Sequence, residues 1–237
     1  ARVWQLPDRT VIYGSGGWML HAELGGDGQY LLTAEDNGAL RIYHSTSGAG
    51  TNGQWSELSR TTIDWYGGLM GASFSPEGRK VVAADEFSMA PSVWDWQSGK
   101  IDDFDSWQDY IGAPVVSADG RRVAAGDYSG NVVVWDLDSG KIVAQLALGG
   151  EGSRVTRVAA VPGSDWFAAA SLDGTVQLWD PNRPEAPQRT LGEKGDSPVE
   201  VLTVSADGGN LASVSSNREV QVWRLSDGER MQVFQGP

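Results

Sequence analysis

Cysteine is absent from the 237 residues, and histidine occurs only twice, at His21 and His44. Without thiols the chain forms no disulfide, holds no thiolate metal site and carries no thiol nucleophile. Neither histidine has a second one at metal-ligand spacing. His21 is therefore expected as a buried, hydrogen-bonded structural residue, and His44 at a surface turn. No apolar run approaches the length of a membrane-spanning helix, so no membrane partner is expected. Basic residues are scarce: 18 Lys and Arg stand against 31 Asp and Glu, a formal net charge of −13. Phosphate surfaces need clustered Lys and Arg, and the only basic pairs are Arg79-Lys80 and Arg121-Arg122, both just after turn signals. Nucleic acid is accordingly not expected as a partner.

Catalytic signatures are missing as well. Neither a Gly-x-Ser-x-Gly elbow nor a His-Glu-x-x-His segment occurs. Gly99-Lys100 and Gly140-Lys141 are each followed by Ile, so neither is a phosphate loop. The run Gly48-Ala49-Gly50-Thr51-Asn52-Gly53 matches Gly-x-Gly-x-x-Gly in form but precedes no helical pattern, and reads as a hairpin loop. Asp102-Asp103-Phe104-Asp105 lacks the Gly and Glu framework of a calcium loop and reads as a solvated acidic edge. No metal, no cofactor and no enzymatic activity are expected.

What is present is a recurring block. Val132-Val133-Val134-Trp135-Asp136 has counterparts at Val3-Trp4, Arg41-Ile42-Tyr43, Ser92-Val93-Trp94-Asp95, Val176-Gln177-Leu178-Trp179-Asp180 and Val220-Gln221-Val222-Trp223. The anchors at 4, 43, 94, 135, 179 and 223 stand 39 to 51 residues apart. A period of this size with a Trp-Asp signature points to serial four-stranded units. The competing two-helix solenoid fails, because the segments before each anchor alternate or run apolar for strand lengths and Gly-bearing turns part them. Ser75-Pro76-Glu77-Gly78, Ser117-Ala118-Asp119-Gly120 and Ser205-Ala206-Asp207-Gly208 read as hairpin turns between strands a and b. Gln97-Ser98-Gly99-Lys100, Asp138-Ser139-Gly140-Lys141 and Ser226-Asp227-Gly228-Glu229 read as turns between strands c and d.

The block Ser171-Leu172-Asp173-Gly174-Thr175-Val176-Gln177-Leu178-Trp179-Asp180 resembles a WD repeat, as does Tyr128 to Asp136. The resemblance covers nearly the whole chain and implies an all-β propeller, while saying little about activity, since folds of this kind host many tasks. It also implies a Gly-His pair before each strand a, whose His bonds a turn Asp and the strand-c Trp. This chain departs there, because neither of its histidines follows a Gly. The expected organisation is one propeller domain over 1–237, divided into a half blade at 1–14 (strands c and d) and five four-stranded blades at 15–59, 60–106, 107–148, 149–192 and 193–237. The parent ring is expected to hold six or seven blades. An incomplete ring bares strand edges, which invite pairing, so strand complementation by another chain, or self-association, is a further expectation.

The eleven Trp offer the best functional lead. Trp4, Trp94, Trp135, Trp179 and Trp223 are anchors, expected to pack between blades. Trp18, Trp65, Tyr66, Trp107 and Tyr110 fall in or just after d–a connections, which share one face of a propeller with the b–c turns. Tyr110 is expected one residue before its strand a. Large aromatics in exposed loops are typical interface anchors, so these five are the candidate binding residues, with Asp102, Asp103, Asp105 and Asp109 as an acidic rim. The expected function is a non-catalytic protein- or peptide-recognition or scaffold domain, its partner bearing basic and apolar residues. The likeness to bacterial-type WD-repeat arrays further implies the sensor part of a larger signalling protein, of cytoplasmic location. The alternatives are a structural propeller completed by another chain, and a small-ligand-binding or enzymatic propeller using the central channel. The inward strand-a starts (Met19, Leu69, Ile111, Val155, Val199) are apolar and weigh against the last.

Overall fold

A computed structural model describes residues 19–25, 28–35, 37–45, 55–63, 68–148, 153–192 and 197–236. Twenty strands in five antiparallel sheets of four make up its regular structure, with no helix among the described residues. The first sheet holds β1 (Met19–Leu24), β2 (Tyr30–Glu35), β3 (Ala39–Ser45) and β4 (Trp55–Thr62). The second holds β5 (Leu69–Phe74), β6 (Lys80–Asp85), β7 (Ser92–Asp95) and β8 (Lys100–Asp103). The third holds β9 (Val115–Val116), β10 (Arg122–Gly126), β11 (Asn131–Asp136) and β12 (Ile142–Ala147). The fourth holds β13 (Val155–Ala160), β14 (Phe167–Ser171), β15 (Val176–Trp179) and β16 (Arg189–Gly192). The fifth holds β17 (Val199–Val204), β18 (Asn210–Ser215), β19 (Glu219–Arg224) and β20 (Arg230–Gln235). Within every sheet the strands pair in chain order, the meander expected of propeller blades.

The local signals act as their chemistry requires. In the a–b turns the Ser hydroxyl accepts from the backbone five residues on: Lys80 N to Ser75 Oγ at 2.9 Å, Arg122 N to Ser117 Oγ at 3.0 Å, Asn210 N to Ser205 Oγ at 2.9 Å. The Gly that closes each of these turns has φ between 69° and 71°, a conformation that costs other residues a clash at Cβ. The anchors pack between sheets, as expected. Trp94 lies on Leu32, Leu40 and Ile42 of the first sheet, and Trp135 on Val82, Ala84 and Val93 of the second. Trp179 lies on Val132, Val134 and Leu146 of the third, and Trp223 on Ala168, Ala170, Val176 and Leu178 of the fourth. Each of the four is at most 2 % exposed. Burying an indole this fully contributes roughly 4–6 kcal/mol of gross transfer free energy. The core is thus a series of seams between successive sheets rather than one central mass.

Several expectations need correction. β4 runs on to Thr62, which pairs with Ala39, so the division at 59/60 cuts a strand. Strand a of the third sheet is only Val115–Val116; Ile111 makes a single bridge to Asp127, and Gly112-Ala113-Pro114 part the two. Pro114 has no N–H to give a ladder, which is why Tyr110 stands five residues ahead of β9 rather than one. His44 lies within β3, its ring 5.2 Å from that of Tyr30, and not at a turn. His21 is half-buried, and its Nε2 has no hydrogen-bond partner among the described residues. The half blade at 1–14, the Gly48–Gly53 run, Trp4, Trp18, Trp65 and Tyr66 lie outside the described residues.

Candidate functional site

In a four-stranded meander the b–c turns and the d–a connections emerge at the same end of the sheet, so their side chains meet on one face. Among the described residues this face carries a continuous stripe. Phe87, in the β6–β7 turn, meets Tyr110 of the β8–β9 connection edge to face, ring centroids 5.8 Å apart. Tyr110 meets Tyr128 of the β10–β11 turn in the same manner at 6.3 Å. The Arg154 guanidinium, just before β13, lies over the Tyr128 ring at 3.9 Å. Leu172, in the β14–β15 turn, donates its N–H to Arg154 O at 2.9 Å and exposes its own side chain. Phe87 is 49 % exposed, Met89 42 %, Tyr110 38 % and Leu172 47 %. Three aromatic rings and a stacked cation are thus in serial contact from the second sheet to the start of the fourth, with the exposed side chains of Met89 and Leu172 on the same face, which single surface hydrophobics do not do.

Buried carboxylates set the turns that hold these rings. Asp127 is fully buried. It accepts from Ser129 N at 2.9 Å, Asn131 N at 2.6 Å, Asn131 Nδ2 at 2.8 Å and Trp107 Nε1 at 3.1 Å. Four donors on one carboxylate satisfy a buried charge that would otherwise be costly. They also fix the turn from which Tyr128 projects. Asp85 does the same beneath Phe87, accepting Phe87 N at 2.9 Å and Ser88 Oγ at 2.6 Å. The connection that carries Tyr110 is pinned on both sides. Trp107 N donates to Met89 O at 2.7 Å, Ile111 N to Ser88 O at 2.9 Å, and Ser129 Oγ to Asp109 Oδ2 at 2.7 Å. In the fourth sheet, burial pushes the Asp173 carboxyl up, but hydrogen bonds from the Ser171 hydroxyl and from Thr175 hold it below the usual carboxylate range.

The candidate binding residues separate accordingly. Tyr110 is at the centre of the stripe. Trp107 is not on it: its ring packs against the core between the second and third sheets, and its N–H is spent on Asp127. Trp107 thereby supplies, from a d–a connection, the donor that the missing Gly-His pair would have given to the turn carboxylate. Phe87, Tyr128, Arg154 and Leu172 were missed by the sequence reasoning. A signal existed, since each of Phe87, Tyr128 and Leu172 follows by one or two residues the b–c turn residue Asp85, Asp127 or Ser171. The acidic rim does not hold together. Asp102 pairs with Lys100 at 2.8 Å, Asp105 with Lys141 at 3.0 Å, and Asp103 accepts from Ser92 Oγ at 2.7 Å. Asp102 and Asp103 line a separate groove of about 440 Å³ with Asp138. Only Asp109 touches the stripe's support. Among the described residues the other non-anchor tryptophans are structural: Trp96 Nε1 donates to Gly78 O at 2.7 Å, Trp55 packs on Leu31 and Tyr43, and Trp166 joins the core between the fourth and fifth sheets.

Comparison with known proteins agrees with this architecture. Residues 141–180 match the model of the family described as WD domain, G-beta repeat, a segment that runs from the end of the third sheet through Trp179 and Asp180. A similar stretch occurs in the target of rapamycin complex subunit wat1 of Schizosaccharomyces pombe, 35 % identical over 78 residues. That match covers 33 % of this chain and 24 % of the fission-yeast protein, so the chain spans about a quarter of the relative it matches. Five serial four-stranded sheets with Trp anchors sealing the seams are the architecture of a WD-repeat β-propeller, and residues 141–180 within them match a WD40 repeat.

Proposed function

We propose that this propeller is a non-catalytic recognition or scaffold module that binds a protein segment along the Phe87–Tyr110–Tyr128–Arg154 stripe. The observation that carries the reading is the unbroken chain of ring-to-ring and cation-to-ring contacts on one face, from the second sheet to the start of the fourth. The rings are rigid, partly exposed and held by buried carboxylates, so ordering them on binding costs little side-chain entropy. The segment bound is one with apolar side chains for the rings and basic residues for the overall charge of −13. The similar fission-yeast protein is named as a subunit of a complex, which supports a protein partner. A place in a larger signalling protein fits the same role. Peptides selected from a random display library on the intact chain provide the probe. The reading expects a Tyr110→Ala, Phe87→Ala double variant to lose at least tenfold in affinity for them, while Val143→Ala, on the exposed edge strand β12, binds unchanged. Equal binding by the double variant refutes it.

One observation favours assembly through strands as a second reading. Ala168, Ala170, Val176 and Leu178 of the fourth sheet are buried beneath the fifth. Their counterparts Ala212, Val214, Val220 and Val222 of the fifth sheet are only half-buried, and all six residues of β20 are exposed, Phe234 to 51 %. A blade contributed by another chain, or by a second copy, would cover that face. Light scattering across a concentration series tests it: association that Phe234→Asp and Val220→Asp abolish supports the reading, and a concentration-independent monomer refutes it.

A further inference from the structure

The first strands of four sheets line a cavity of about 530 Å³, within the size range of small-molecule sites. Its walls differ in charge. One wall, on β13 and the residue before it, presents Arg154 and Arg157; another, on β1, presents His21 and Glu23. Between them the lining is uncharged and includes Gly71, Ala72, Gly112 and Ala113, where the backbones come close: a Cβ on Gly71 would stand 2.6 Å from the Ala113 Cβ. Two guanidinium groups sharing one cavity are conspicuous in a chain with 18 basic residues against 31 acidic ones.

The polar atoms of this cavity are not used up by the protein. Among the described residues, Arg154 Nε and His21 Nε2 are buried without a hydrogen-bond partner. Arg157 Nη1 donates to Thr156 O at 2.7 Å, which engages one edge of its guanidinium. Glu23 Oε2 accepts from Phe74 N at 3.3 Å and lies 3.5 Å from His21 Nε2. The charged groups that line the cavity, the Arg154 and Arg157 side chains on one wall and Glu23 on another, are the ones a bound group would pair with. Guanidinium forks fit a carboxylate. The Glu23 carboxylate on the other wall fits an ammonium. Glu23 also disfavours a ligand that is anionic throughout, because a second negative charge would face its carboxylate.

We propose that the central cavity is a binding site for a small zwitterion whose carboxylate and ammonium are held apart by a short carbon chain. The carboxylate is received by Arg157 and Arg154 and the ammonium by Glu23. The site takes a different ligand from the stripe and shares only Arg154 with it.

Titration calorimetry on the full chain with 6-aminohexanoate tests this, with hexanoate, hexylamine and inorganic phosphate as the comparison ligands. Saturable binding of 6-aminohexanoate is expected, at least tenfold tighter than either singly charged analogue. Arg157→Gln and Glu23→Gln should each lose at least tenfold for the zwitterion with an unchanged melting temperature, and Glu23→Gln should narrow the gap to hexanoate. The Tyr110→Ala, Phe87→Ala variant should bind the zwitterion as the wild type does, which separates this site from the stripe. The proposal is overturned if 6-aminohexanoate does not bind saturably, if Arg157→Gln binds it unchanged, or if phosphate or hexanoate binds as tightly.

Discussion

Trp107→Phe separates a structural indole from a surface one. The substitution keeps most of the ring that packs on the core between the second and third sheets and removes the N–H that reaches Asp127 Oδ2 at 3.1 Å. A hydrogen bond to a charged acceptor contributes about 1.5–3 kcal/mol. Asp127 keeps its bonds from Ser129 N, Asn131 N and Asn131 Nδ2, so its charge stays solvated by the protein. The loss should therefore fall at the lower end, about 1.5 kcal/mol, with a small packing term added. Urea denaturation followed by tryptophan fluorescence and circular dichroism measures it as a lowered midpoint at unchanged slope. A double-mutant cycle with Asp127→Asn should show a coupling of about 1 kcal/mol, since the two groups touch. If Trp107→Phe stays within about 0.5 kcal/mol of the wild type and shows no coupling, the indole is not a pin, and the assignment of Trp107 to the turn network is refuted.

Other outcomes follow from the same structure. Trp179→Ala opens the seam between the third and fourth sheets and should cost about 3–5 kcal/mol by denaturant unfolding; a cost below 1 kcal/mol would contradict the seam architecture. Gly126→Ala sets a Cβ 2.2 Å from Val155 Cγ1 and should destabilise by about 1–3 kcal/mol, with Val155→Ala recovering part of the loss. Additive costs in that pair would show that the two residues do not meet. Asp173, Asp136 and Asp95 all have carboxyls lowered in the folded state, Asp136 chiefly by the Ser139 hydroxyl and Asp95 chiefly by the Ser98 backbone N–H. A folded-state pKa below the unfolded value of about 3.9 gives stability that is complete above that pH and is lost as pH falls through the folded value. Acid titration of the melting temperature should thus be flat near pH 6 and fall below about pH 4, less steeply in Asp173→Asn. An equal slope in that variant would remove Asp173 from the account.

The sheets and their order were legible because strand periodicity, turn chemistry and the spaced Trp anchors all state the same arrangement, and each is a local property. Trp135 shows its role in its own neighbours, Val132-Val133-Val134 before it and Asp136 after it. The short strand of the third sheet is also written in the chain, as Pro114 directly before Val115. The site was less legible, because its contacts join connections far apart in sequence. Trp107 and Tyr110 look alike as loop aromatics. Only the position of Asp127, twenty residues beyond Trp107, turns one inward and leaves the other between Phe87 and Tyr128. The acidic rim failed for a related reason: Asp102 and Asp105 found Lys100 and Lys141, and such pairings are set by the placement of neighbouring turns. The apolar starts of the a strands hid the charged cavity as well, since Arg154 and Arg157 flank the pair Val155-Thr156, while His21 and Glu23 lie a short way along β1.

The most direct test of the account is the affinity of library-selected peptides for the intact chain, measured by fluorescence anisotropy for the wild type, Tyr110→Ala and Tyr128→Ala. The account predicts at least a tenfold loss in each variant with melting temperatures within a few degrees of the wild type. Peptides that bind all three proteins equally would contradict the claim that this face of the propeller is its recognition surface.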